Sequence, residues 1–182
     1  FPYTTLFRST LQIEALSTFQ TASLTLSQVL SLTPDQVSAI HVDTAQISLT
    51  ETASIIGLTA SQFAVLNSAQ LGALTTLQVG AISTSQIRAV EIASLVGLTT
   101  NQMPAFNSAQ MQAMTSYQVG VFNSLQISAI ESSDILGLTT SSIGNIDVVN
   151  LMGVTADQIS ALNSMHIAAL SANQILAMRT DQ

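Results

Sequence analysis

From Leu58 onward the chain repeats one eight-residue pattern of apolar and polar positions: LTASQFAV, LNSAQLGA, LTTLQVGA, ISTSQIRA. Position 1 is almost always Leu, Ile, Val, Met or Phe. Position 2 favours Thr, Ser or Asn, position 5 is Gln, position 6 is apolar and position 8 is commonly Ala. The phase holds to Gln182 and runs back to Val42. Upstream, LSTFQTAS, LTLSQVLS and LTPDQVSA keep the same period, with Ile40 and His41 inserted once. Counted from Arg8, the chain holds 22 octads, the last incomplete, and 16 of them carry Gln at position 5. A polar residue recurring so regularly beside an apolar one demands a structural reason.

Helix initiation supplies one. With Thr59 at an N-cap, Gln62 falls at N3, and Ser/Thr-x-x-Glu/Gln is the capping box: the hydroxyl accepts from the N3 amide while the N3 side chain accepts from the N-cap amide. Leu58 then precedes the cap and Phe63 stands at N4, the apolar pair of a hydrophobic staple. Asn67, Asn107, Asn123 and Asn163 take the cap position, where Asn is favoured, and Pro34 falls at N1, which tolerates proline. A start signal every eight residues predicts a new helix every eight residues, over positions 3 to 8. A continuous helix is excluded, because eight residues drift about 80° per repeat at 3.6 per turn. Unbroken two-residue alternation does not fit either, since positions 6 and 8 share a face and the next position 1 falls on the other. A β-solenoid with turns at positions 2–4 is the alternative.

So short a helix is marginal alone. One octad buries two large side chains but must order eight backbones, so neighbours have to share a core, which is the logic of a solenoid. The expected fold is therefore all-α, a solenoid of short capped helices in which Ala at position 8 lets helices approach. A longer period is superimposed. Glu51, Glu91 and Glu131 lie forty residues apart, as do Gly57, Gly97 and Gly137, in octads without Gln. Residues 58–97 and 98–137 match at 17 of 40 positions. After LTTSSIGN, IDVVNLMG arrives early, with Asp147 and Gly153 in the Glu and Gly places. Gly followed by an apolar residue, as in Gly97-Leu98, suits a left-handed helix stop and predicts a sharper corner every forty residues.

Composition narrows the chemistry. The chain is 47% apolar and 7% charged, with ten acidic residues against Arg8, Arg88 and Arg179, and a net charge of −7. That balance repels nucleic-acid phosphates. Mean hydropathy is +0.48, yet no apolar run is long enough to span a bilayer, so no membrane insertion is expected. Cysteine is absent, which excludes disulfides and thiolate metal sites.

The first nine residues, FPYTTLFRS, are foreign to the repeat. They are the translation of TTT CCC TAC ACG ACG CTC TTC CGA TCT, which resembles a sequencing-adapter end. Residues 1–9 therefore read as an adapter-derived artefact, and residues 10–182 as a single repeat array cut at both ends.

No catalytic, cofactor-binding or metal-binding residue emerges from the pattern. His166 occupies the Gln position of LNSMHIAA and reads as a substitute capping side chain. His41 sits in the insertion. Glu51, Glu91 and Glu131 read as helix N-terminal acids complementing the dipole, or as a series along one side that binds cations weakly. Met103, Met111, Met114, Met152, Met165 and Met178 read mostly as core. There is no G-x-S-x-G elbow and no phosphate-binding glycine loop, so no enzyme is expected.

Two likenesses follow from these residues. Leu32 to Ile40, LTPDQVSAI, resembles the first helix of TAL-effector DNA-binding repeats. Those repeats are several times longer and rely on a base-reading pair and on basic residues, none of which is present. From about Leu11 the chain resembles the degenerate L-T/S-x-x-Q-I/V-x-A arrays of very long bacterial secreted or surface proteins. That resemblance implies a non-catalytic spacer or stalk, extracellular or at the cell surface, whose partners are neighbouring repeats and flanking domains. A protein- or glycan-binding, adhesin-like solenoid is the alternative.

Overall fold

The computed structural model describes residues 9–17, 19–20, 28, 31–39, 52, 55 and 57–178. Phe1 to Arg8, the Ile40–His41 insertion, Glu51, Arg179 and Gln182 lie outside the described residues. The chain divides into two units, Phe1–Gly97 and Leu98–Gln182. The first contains α1 (Thr10–Glu14), α2 (Pro34–Ala39), α3 (Ala60–Ala64), α4 (Ser68–Gly72), α5 (Thr76–Ala81), α6 (Thr84–Ala89) and α7 (Ile92–Leu95). The second opens with a 3₁₀ turn, η1 (Met103–Ala105). It continues with α8 (Ser108–Ala113), α9 (Ser116–Gly120), α10 (Ser124–Ser128), α11 (Ser132–Ile135), α12 (Thr140–Gly144), α13 (Val148–Leu151), α14 (Ala156–Ala161), α15 (Ser164–Ala168) and α16 (Ala172–Ala177). The described residues hold no strand; the fold is an all-α solenoid of short helices, and the β-solenoid alternative falls.

Each helix begins where the capping pattern places it. Among the described residues twelve complete capping boxes are formed, including Thr33/Gln36, Thr59/Gln62, Asn107/Gln110 and Ser171/Gln174. The N-cap of α1 is Ser9, whose side chain accepts from the Gln12 amide; the residue assigned to the foreign start thus closes the first box. Most of the described helices also end alike. The amide at position 1 of the next octad donates to the carbonyl at position 6, as in Leu66 to Phe63 (3.2 Å), Ile130 to Ile127 (3.1 Å) and Leu138 to Ile135 (3.0 Å). Two extended residues, the end of one helix and the cap of the next, then make the link: Ile82 at φ −61°, ψ 131° and Ser83 at φ −72°, ψ 156°. The octad 98–105 departs from this pattern. Pro104 has no amide to donate four residues back, and Ala105 bonds Gln102 at 3.0 Å instead, which tightens the segment into η1.

Packing follows a period of three octads. In the first unit α1 lies on α2, α2 on α3, α3 on α6 and α4 on α7. In the second, α8 lies on α11, α9 on α12, α10 on α13, α11 on α14, α12 on α15 and α13 on α16. From Ala60 to Thr84 is 84 − 60 = 24 residues, and the same step separates Ser108 from Ser132. One coil is therefore 24 residues and three helices. From Pro34 to Ala60 is 60 − 34 = 26, two more than the usual step, and α2 still lies on α3.

The forty-residue sequence period is consequently not the packing period. Forty residues are one coil plus sixteen residues, so a feature repeated every forty moves to another side each time. Glu131 caps α11 and Asp147 caps α13, which pack on different partners, so the acids do not line one side of the second unit. The left-handed helix stop is also corrected: Gly97, Gly137 and Gly153 do not have a positive φ. They are glycines because the backbone of the preceding coil leaves no room for a side chain. A Cβ would lie 1.9 Å from the Ser68 carbonyl oxygen at Gly97, 2.2 Å from that of Ser108 at Gly137, and 2.1 Å from that of Ser124 at Gly153.

Candidate functional site

The recurrent chemistry of this chain is the glutamine at position 5, and the stack buries it. From Gln62 onward every described Gln at that position is no more than 3% exposed. Its Oε1 completes the capping box: the N-cap amides of Thr75, Ser83, Asn123 and Thr155 donate to Gln78, Gln86, Gln126 and Gln158 at 2.7–2.9 Å. A capping box uses only that oxygen. The other half of the carboxamide points to the preceding coil. Gln86 Nε2 donates to the Leu58 carbonyl at 2.7 Å, and Gln126 Nε2 to that of Leu98 at 2.7 Å. Gln158 Nε2 reaches Ile130 (2.7 Å) and Ile127 (2.8 Å). Gln174 Nε2 reaches Ile146 (2.8 Å) and Ile143 (3.1 Å). Gln62 Nε2 donates to the Leu32 carbonyl across the coil that carries the insertion.

The acceptors have a common origin. Position 1 is extended, with neither neighbour placed to take its carbonyl within a helix, and position 6 is the last turn of its helix. Buried backbone carbonyls need donors, and the glutamine amide three octads later supplies them. Gln86, Gln126, Gln158 and Gln174 thus each start their own helix and fasten it to the coil before it. The apolar side chains complete the interface: position 6 is 0–3% exposed at every octad from Phe63 to Leu151, and position 1 is 0–6% exposed from Leu58 to Val154.

The second role was missed from sequence, although a signal was there. A capping box accepts Glu as readily as Gln, yet none of the 22 octads has Glu at position 5. A carboxylate satisfies the cap but has no hydrogen to give the carbonyls beyond.

The substitutes at position 5 behave differently. Ser142 caps through Thr139, with its hydroxyl 2.8 Å from that of Thr139. Asp134 accepts from the Ser108 hydroxyl at 2.7 Å, a bond from α11 to α8. His166 is 5% exposed and its amide is capped by Asn163 at 3.0 Å, but its Nδ1 is buried without a partner. The expected substitute capping side chain is therefore not realised. Restoring glutamine at this position should recover the missing bonds. His166→Gln is expected to raise stability by about 1–2 kcal/mol, read as a higher urea midpoint at unchanged slope; an unchanged or lower midpoint counts against the bridging account.

The acidic residues hold no such place. Glu91, Glu131 and Asp147 are N-caps whose side chains make no capping bond, and among the described residues no three His, Cys, Asp or Glu side chains gather as metal ligands. The methionines divide. Met103, Met111 and Met114 are core at 3% exposure or less, while Met152 and Met165 face solvent. They belong to a set of exposed apolar residues at positions 4 and 7 that includes Leu77, Tyr117, Leu125, Leu136 and Val149. Three of these, Leu125, Val149 and Met152, stand with Leu176 on α10, on α13 and its C-cap, and on α16, helices that pack in succession in the second unit. No described helix is long and apolar enough to cross a membrane.

These features define a helical repeat array. A family model described as the ALTTAQ repeat matches residues 79–116. The letters of that name run from position 8 to position 5 of the octad, as in Ala73 to Gln78, ALTTLQ. A search of curated proteins finds no match.

Proposed function

We propose that this chain is a non-catalytic spacer, the repeat region of a large bacterial surface or secreted protein that holds other modules at a distance. The observation that carries the reading is the use made of the buried polar groups. Gln86, Gln126, Gln158 and Gln174 are used both in starting helices and in joining coils, so a coil can be added or removed without creating or destroying a special group. Length is then the adjustable property, as in other solenoids. The low charge, with Ser, Thr, Asn and Gln in its place, suits an extracellular or cell-surface setting.

A second reading, a solenoid that grips a protein or glycan, draws on the exposed Leu125, Val149, Met152 and Leu176. One pair of variants separates the two. Repeating Ile130 to Gly153 in tandem adds one coil and should lengthen the particle by about 8–10 Å, one helix-packing distance, in small-angle scattering, with the melt still cooperative. Replacing Leu125, Val149 and Met152 by Ser should leave length and melting unchanged. A particle that does not lengthen sinks the spacer reading. Capture of a protein or glycan by the parent chain that the triple serine variant abolishes would favour the binding reading.

A further inference from the structure

Glutamine is missing from position 5 in three consecutive octads of the second unit, where Asp134, Ser142 and Asn150 stand instead. Three octads are one coil, so α11, α12 and α13 meet α8, α9 and α10 without a glutamine bridge. The consequence shows at the acceptors. The other bridges span 28 residues, and that step leads here to the carbonyls of Phe106, Met114 and Phe122. Among the described residues none of the three carbonyls receives a hydrogen bond, although these residues are 2%, 3% and 0% exposed. The substitutes are engaged elsewhere. Asp134 accepts from the Ser108 hydroxyl at 2.7 Å, and the fully buried Ser142 hydroxyl pairs with that of Thr139 at 2.8 Å. The Ser108 to Asp134 bond and the 2.9 Å bond from Asn145 Nδ2 to the Ser116 carbonyl do cross this joint, but both lie at the surface, where water competes for them. The next joint differs: Gln158 and Gln174 reach the buried carbonyls of Ile130 and Ile146.

We propose that the joint between α8–α10 and α11–α13 is a built-in seam, the place where the second unit opens first while its glutamine-bridged joints stay shut. At rest the seam is closed. Met111, Val119 and Ile127 are 0–1% exposed, and Gly137 and Gly153 bring backbone against the Ser108 and Ser124 carbonyls. What this joint lacks is the donor that meets each buried carbonyl. An undonated carbonyl weakens the closed state against the open one, in which water supplies the hydrogen bond. Opening short of global unfolding begins where the closed state is held least. The inference stands apart from the spacer reading, since it concerns only the joint between two coils.

The test uses the 182-residue chain, which has no cysteine, so one introduced thiol reports opening by its rate of labelling with dithiobis(nitrobenzoate). Val119→Cys places the thiol on α9, which packs on α12; Leu151→Cys places it on α13, which packs on α16. The parent side chains are 0% and 3% exposed, so neither site reacts until the fold opens. In urea well below the unfolding midpoint, the opening constant at the Val119 site should exceed that at the Leu151 site by about tenfold or more. Ser142→Gln offers the Met114 carbonyl a donor and should lower opening at the Val119 site about tenfold, leaving the Leu151 site unchanged. Gln174→Asn repeats the Asn150 replacement one coil later and should raise opening at the Leu151 site about tenfold. Circular dichroism of each variant should match the parent. If Val119→Cys does not fold, Ile127→Cys takes its place, and Asn150→Gln stands in for Ser142→Gln in the same way. The proposal is overturned by equal opening at the two sites, by faster opening at the Leu151 site, or by a folded Ser142→Gln variant that leaves labelling at the Val119 site unchanged.

Discussion

Gln158→Glu is expected to destabilise the second unit at least as much as Gln158→Ala, although only the glutamate preserves the capping box. The alanine variant loses the acceptor of the Thr155 amide, 2.9 Å away, and the donor to the Ile130 and Ile127 carbonyls at 2.7 and 2.8 Å. Ile127 keeps the Ile130 amide as a donor, so two backbone groups lose their bonds in a place where the glutamine itself is 1% exposed. At roughly 1–3 kcal/mol for each buried group left unpaired, the loss is about 2–6 kcal/mol. The glutamate variant keeps the first bond and turns the second into a carboxylate oxygen facing two carbonyl oxygens. A buried, unpaired charge costs several kcal/mol, and relief by protonation gives back only one donor. Urea denaturation of the three proteins at neutral pH is decisive. If helix starting were the only role of the glutamine, Glu would be close to neutral. A glutamate variant as stable as the parent would remove the inter-coil bridge. Extended to the first unit, Gln62, Gln70 and Gln78 changed to Ala should lower helicity and melting temperature cumulatively.

Gly137→Ala is the second large effect. The added methyl carbon would fall 2.2 Å from the Ser108 carbonyl oxygen and 2.7 Å from its Cα. Those atoms are backbone, so no side chain can swing away, and α11 must move off α8. The Ser108 to Asp134 bond joins these same two helices and is strained with them. Overpacking of this kind costs about 3 kcal/mol or more. Gly144 is the internal control: there a Cβ would meet only the Ala169 carbonyl oxygen, at 3.2 Å. Gly144→Ala also removes backbone freedom from the unfolded chain, which stabilises by about 0.4–1 kcal/mol where the conformation suits alanine, so it should fall near neutral. Thermal melts of the two variants side by side check the contrast. Equal effects at Gly137 and Gly144 would show that conformation rather than close approach selects these glycines.

Helix starts were legible because a capping box is a local device. The cap, the N3 residue and the staple lie within six residues, and their geometry needs nothing from elsewhere in the chain. Thr59, Gln62, Leu58 and Phe63 accordingly stand where the octad pattern puts them. The need for stacking was legible for a complementary reason, that helices of four to six residues cannot stand alone. Position 8 was not legible at its glycines. Gly97, Gly137 and Gly153 were read as turn formers because glycine serves both purposes and only the atoms facing it distinguish them. His166 was the least legible. Whether its ring meets a partner depends on backbone supplied by the coil before, and no local pattern records that.

The sequence by itself determined the unit: an eight-residue piece with its own start, its own apolar pair and too little core to persist alone. Only the tertiary structure decided how many units close a coil. The link between helices has a fixed bend, and three such bends return the chain to its starting side after 24 residues, whatever longer period the sequence carries. That number in turn decided which carbonyls each glutamine reaches and which glycines are crowded. It also decided that Glu131 and Asp147 do not line up within the second unit. These are facts about chain segments brought together across the coil, and an octad read on its own has no partner to reveal them.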